Sequence, residues 1–192
     1  TGDDAAARLA AISALELALQ IHGGDSLALA GPLEMLSWTL FELGHGEAAA
    51  RAAAALLPRD PGLAPRAANV LQLTHDLGVD VGLQPDAWAA AQGNACDQAE
   101  RAALRGFLLE GRARQQGTVP GECNAARAAR LAALGWSWST NALAPFTPEP
   151  FDAPLARAAR ADHRPQWPQP LEPELERRVE SILSLLRVVR RP

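Results

Sequence analysis

Two glycines, Gly44 and Gly78, each follow a leucine at the end of an apolar run with helical spacing, and they stand 34 residues apart. Glycine in that place closes a helix by taking the left-handed conformation that other residues avoid. A helix–turn–helix unit of that length has an apolar face that only the next unit can bury, and stacking such units leaves a concave flank.

The flanking pattern predicts where the helices run. Leu9, Ile12, Leu15 and Leu19 mark a first helix over about residues 5–22, stopped by Gly23-Gly24. Asp25 or Ser26 can cap a second, which carries Leu29, Leu33, Leu36, Leu40 and Leu43 and has Pro32 early enough to delay or kink its start. A third, about residues 47–57, is alanine on both faces and should lie between close neighbours, away from water. Asp60-Pro61 opens a fourth that ends at Leu77-Gly78, and residues 79–85 break the pattern. Asp86 caps a short helix to about Gln92, Asn94 a longer one to about Gln115, and residues 122–134 form another that Gly135 ends. From Pro145 to Pro173 eight prolines predict an extended segment wrapped over the helices, with one helical island near residues 153–161. The last helix, residues 172 to about 190, has an apolar stripe of Leu171, Leu175, Val179, Ile182, Leu183, Leu186 and Val189. Arg187, Arg190 and Arg191 beside that stripe admit a membrane-surface helix, but a capping helix explains the stripe more simply. The expected organisation is a helical domain over 1–144, a proline-rich wrapping segment over 145–171 and a capping helix over 172–192, all in one folded unit.

Composition narrows the function. Alanine and leucine dominate, tyrosine is absent and β-branched residues are sparse before the last helix, so the fold class is all-α and a large sheet is excluded. A net charge of −4 argues against a general nucleic-acid binder, which needs surplus cations to displace counterions from phosphate. All 18 basic residues are arginine, a bias of GC-rich, bacterial-like coding that carries no functional weight. Without lysine there is neither a phosphate-loop lysine nor Schiff-base chemistry. His22-Gly23-Gly24-Asp25 looks faintly like an esterase oxyanion turn, but no Gly-x-Ser-x-Gly nucleophile elbow accompanies it and a helix stop explains it. His22, His45, His75 and His163 lack metal-ligand spacing, and the first three fall at helix ends or turns, where exposure is expected. No catalytic residue, metal or cofactor is assigned. No apolar run is long enough to span a membrane and Thr1-Gly2-Asp3-Asp4 lacks signal-peptide features, so a cytoplasmic location is expected, or a secreted or periplasmic one if a leader has been removed. Cys96 and Cys123 are expected to be structural thiols. Placed at the starts of two helices in an antiparallel hairpin, they would lie roughly 25 Å apart, beyond disulfide reach.

Residues Leu33-x-x-Leu36-Ser37-x-x-Leu40-x-x-x-Gly44-x-x-x-x-Ala49-x-x-x-Ala53-x-x-Leu56-x-x-x-x-Pro61 resemble the tetratricopeptide repeat (TPR), whose period is also 34 residues. The match covers about one and a half repeats. It departs in the break after Gly78 and in Leu40 and Ala53, where the family usually has aromatic residues; an ordinary helical bundle is the alternative. The resemblance implies a TPR-like right-handed stack of helical hairpins that binds a protein or peptide partner in a concave groove. Helices 27–43 and 61–77 would line that groove, with Trp38, Glu42, Asn69, Gln72 and Asp76 as exposed contacts. A second reading is a helical enzyme or enzyme-accessory domain with a small-ligand pocket at Trp136, Trp138 and Trp167. The same tryptophans equally suit an aromatic clamp that holds the proline-rich tail on the helical body. A third is a purely structural helical segment. Oligomeric state is left open.

Overall fold

A computed structural model describes residues 2–91, 93–110, 117–134, 137–138, 155 and 166–186. These are predominantly helical. The chain divides into two compact units, residues 1–91 with 166–192 and residues 92–165.

The first unit contains α1 (Gly2–His22), a 3-10 turn (Leu27–Leu29), α2 (Ala30–Glu42), α3 (Gly46–Leu56), α4 (Ala64–Asp76) and the short α5 (Asp86–Ala89). Ser26 caps the 3-10 turn through a hydrogen bond from Ala28 N–H (3.1 Å), so α2 starts late and Pro32 sits in its first turn, where its missing N–H costs nothing. Asp60 accepts from Gly62 N–H (2.7 Å) and shapes the turn that leads into α4. The alanine-rich α3 packs between α2 and α4, and Ala49, Ala50, Ala52 and Ala53 are fully buried, as their small size on both faces predicts. Helices α2 and α4 also pack directly on each other.

The 34-residue interval extends to whole elements. Helices α2 and α4 each span 13 residues, and both their first and last residues are 34 apart. Their ends match bond for bond. Gly44 N–H donates to Phe41 O (3.0 Å) and His45 N–H to Leu40 O (2.9 Å), while Gly78 N–H donates to His75 O (2.9 Å) and Val79 N–H to Thr74 O (3.1 Å). This is the Schellman pairing, with both glycines left-handed at φ 89° and 82°. The two sites differ in their surroundings: a Cβ on Gly44 would stand 2.8 Å from the Gln166 carbonyl oxygen, and one on Gly78 would meet nothing within 4 Å. Gly78→Ala is therefore expected to cost only the left-handed penalty of about 1–2 kcal/mol, and Gly44→Ala distinctly more. Urea denaturation of the two variants checks this; equal losses would contradict the close approach at Gly44.

Helix α8 (Pro173–Leu185) belongs to the same unit and packs on α1 and α3. Leu171, Val179, Ile182 and Leu186 of the expected stripe are buried. Its polar edges are tied down: Arg178 donates to both carboxylate oxygens of Glu16 (2.9 and 2.6 Å), and Arg51 of α3 forms a bidentate pair with Glu180. Each guanidinium holds its partner carboxyl below the usual carboxylate range.

The second unit is built on α6 (Ala95–Glu110), β1 (Thr118–Val119), α7 (Ala125–Ala133) and β2 (Ser137–Trp138). Asn94 and Asp97 cap α6 reciprocally: Asp97 N–H donates to Asn94 Oδ1 (3.0 Å) and Asn94 N–H to Asp97 Oδ2 (2.9 Å). Strands β1 and β2 pair in parallel, Thr118 with Ser137 and Val119 with Trp138, so α7 is the crossover of a minimal β-α-β unit.

That crossover corrects the expectation for the cysteines. Cys96 and Cys123 form a disulfide, with their Cα atoms 5.2 Å apart. The bond sets the start of α7 beside the start of α6, so the two helices share a starting end and are not an antiparallel hairpin. Beneath the bond, Glu100 is fully buried and accepts from Arg127 Nε (3.1 Å), Arg127 Nη2 (2.8 Å) and Arg130 Nη1 (2.6 Å). Arg127 also pairs with Asp97 (2.7 Å). The expected wrapping segment over 145–165 and the helical island lie outside the described residues except for Leu155, which is helical and buried.

Candidate partner-binding face

The matching register of α2 and α4 sets Gly31, Met35, Trp38 and Glu42 along one stripe, and Pro65, Asn69, Gln72 and Asp76 at the equivalent positions of the second helix. The five residues singled out from the sequence all fall on this pair of stripes. Their exposure, however, is not as expected. Trp38 is 4%, Glu42 6% and Asn69 0% exposed, so these three are interior side chains, while Gln72 and Asp76 are half-buried. A large aromatic and two polar groups at such positions point into packing, which the period alone does not reveal.

The structure draws some of these residues together. Gln72 Nε2 donates to Asp76 Oδ1 (2.8 Å) one turn along α4. Trp38 stands edge-on to Phe41 (5.6 Å between centroids), and the Arg66 guanidinium lies over the Trp38 ring (5.4 Å) while pairing with Glu34 of α2. One contact escaped sequence reasoning: Trp88 of α5 is buried, donates from Nε1 to Gln72 Oε1 (3.1 Å) and sits 6.0 Å from the His75 ring. The available signal was a lone tryptophan in a short helix that occupies the register position of α3. On α2 the open members of the stripe are Gly31 and Met35, the latter 42% exposed, with the half-buried Glu34 beside them.

The tryptophan pocket divides differently. Trp136 and the Trp138 side chain lie outside the described residues. Trp167 is half-buried with its ring 4.8 Å from Phe41, and a Cβ on Gly46 would stand 3.0 Å from that ring. It clamps the 166–172 segment to the end of α2. His45, expected to be exposed, is 4% exposed beneath the same segment.

Among the described residues no cluster of three or more His, Cys, Asp or Glu is placed to hold a metal ion, and no helix is long and apolar enough to cross a membrane. No protein-family model matches the chain, and comparisons with curated proteins and with solved structures returned no match.

Proposed function

We propose that the chain is a short TPR-like adaptor that holds a protein or peptide segment along the α2/α4 face. The observation that carries this is the repeat itself: two 13-residue helices, 34 residues apart in sequence, closed by bond-for-bond identical glycine turns and packed side by side. Such units present equivalent side chains at a fixed spacing, which suits an extended or helical partner. Burial of Trp38, Glu42 and Asn69 moves the assigned contacts to the accessible members of the face: Met35 and Glu34 on α2, Gln72 and Asp76 on α4.

A photoreactive amino acid at position 35 or 72 is expected to capture a partner from lysate of the source organism, while the same probe at Glu174, on the outer side of α8, captures none. Met35→Glu should cut that capture at least about tenfold without lowering the melting temperature, because a surface substitution away from packing changes stability by about 0.5 kcal/mol or less. Equal capture from all three positions would overturn the assignment.

The Cys96–Cys123 disulfide favours an oxidising compartment, periplasmic or extracellular, over the cytoplasm expected from the sequence.

A further inference from the structure

Two hydrogen bonds hold residues 166–172 on the Gly44–Gly46 turn, and a third ties that turn to α1. Gln169 N–H donates to Gly44 O (2.8 Å), His45 Nδ1–H donates to Gln169 O (3.0 Å), and Arg8 Nη1 donates to His45 Nε2 (2.8 Å). The partners dictate the state of the ring. A carbonyl can only accept and a guanidinium can only donate, so Nδ1 carries the proton and Nε2 its lone pair. The buried imidazole is neutral. Arg8 also binds Glu172, at the N-cap of α8, with a 2.9 Å contact to each oxygen. One imidazole therefore joins α1, the α2–α3 turn and a segment 124 residues away.

A second ring proton would land on Nε2, the atom that faces Arg8. The hydrogen bond from Arg8 would then be lost and two cations would stand in contact. The charged groups around His45 are Arg8 from α1 and Glu172 from the N-cap of α8, with Glu47 and Arg51 of α3 and Glu176 and Glu180 of α8 lining a cavity of about 230 Å³ that His45 also borders. Arg8 already engages Glu172 and Arg51 already engages Glu180. Burial foremost, with Arg8, holds the ring below the usual histidine value, against the opposing pull of the Gln169 carbonyl and Glu172.

The geometry points to a pH-sensitive strap: residues 166–172 lie closed over the Gly44–Gly46 turn while His45 is neutral and open when its ring takes a second proton. Opening frees Trp167 from Phe41 and uncovers the end of α2. The closed form disfavours the proton and the open form, with an ordinary histidine value near 6.5, accepts it. Closure is therefore fully stable above about pH 6.5 and is lost as pH falls below it, by up to about tenfold in the opening equilibrium at pH 5.5 and about 30-fold at pH 5.0. Glu16, Glu172 and Glu180 are held below the usual carboxylate range and keep their charge across that interval.

Hydrogen exchange on the full chain tests the strap. The Gln169 amide, bonded to Gly44 O, is expected to lose protection as pH falls from 7.5 to 5.0, by no more than those factors after correction for intrinsic exchange. His45→Gln, whose amide can replace both ring contacts without titrating, should hold Gln169 protection flat across the same range. Constant Gln169 protection in the unmodified protein would overturn the proposal, as would an unchanged pH dependence in the variant. If the variant does not fold, the NMR titration of His45 in the unmodified chain decides. A midpoint below the ordinary histidine value that coincides with the loss of Gln169 protection supports the strap, and an ordinary midpoint, or one unrelated to that loss, refutes it.

Discussion

Replacing Cys96 and Cys123 together by alanine is expected to destabilise the 92–165 unit by about 3–4 kcal/mol. The bond closes a loop with a sequence separation of 27 residues, and a loop of that size restricts the unfolded chain by about that amount. The native side contributes too. Cys96 and Cys123 are both buried at the shared start of α6 and α7, so their removal leaves a gap under the cap formed by Asn94 and Asp97. Hydrogen exchange on amides of residues 95–134 in guanidinium titrations, with and without reductant, reads the loss directly. Reduction of the unmodified protein should reproduce most of it. A change below about 1 kcal/mol in both experiments would mean that the bond restricts a segment already ordered when unfolded.

Glu100→Ala is the second large effect, expected at about 3–5 kcal/mol. The Glu100 carboxylate is fully buried and accepts three guanidinium hydrogen bonds, and its loss strips a charge partner from Arg127 and Arg130, both nearly enclosed. Removing one member of a buried ion pair costs more than the pair contributes, because the remaining charge stays out of water. Arg127 keeps Asp97, which limits the loss at its side of the cluster. The triple variant Glu100→Leu, Arg127→Leu, Arg130→Leu should recover part of the stability, since it removes three of the buried charges together while Asp97 gives up its contact with Arg127. Chemical denaturation monitored by amides of α6 and α7 measures both variants. A triple variant less stable than Glu100→Ala would show that the ion cluster contributes net stability.

The helical phase of the candidate face was legible in the residues, and its exposure was not. The 34-residue register placed Trp38 and Glu42 opposite Gln72 and Asp76 in equivalent turns, because helical phase depends only on position along the chain. What the phase does not contain is which stripe other elements cover. Trp38 and Asn69 lie on the expected stripe and are buried, whereas Met35 on the same stripe is open. His45 was misjudged for the same reason: its turn is exposed in isolation and is covered by Gln169 and Trp167 from far along the chain.

The cysteines show the limit most plainly. A helix starting near each was readable, with Asn94 capping α6 as expected, while the Asn124 cap of α7 appears only in the structure. Their distance was not, because it depends on the return of the chain through β1, whose pairing with β2 is a contact between residues 19 positions apart.

The sequence by itself determined where most helices start and stop, since caps, glycine turns and proline positions act through hydrogen bonds within a few residues. Tertiary structure alone decided that Cys96 meets Cys123, that Glu100 meets two arginines and that His45 is sealed beneath a distant strap. Those contacts depend on how the elements are packed in space, and their free energy appears only once the whole chain has brought them together.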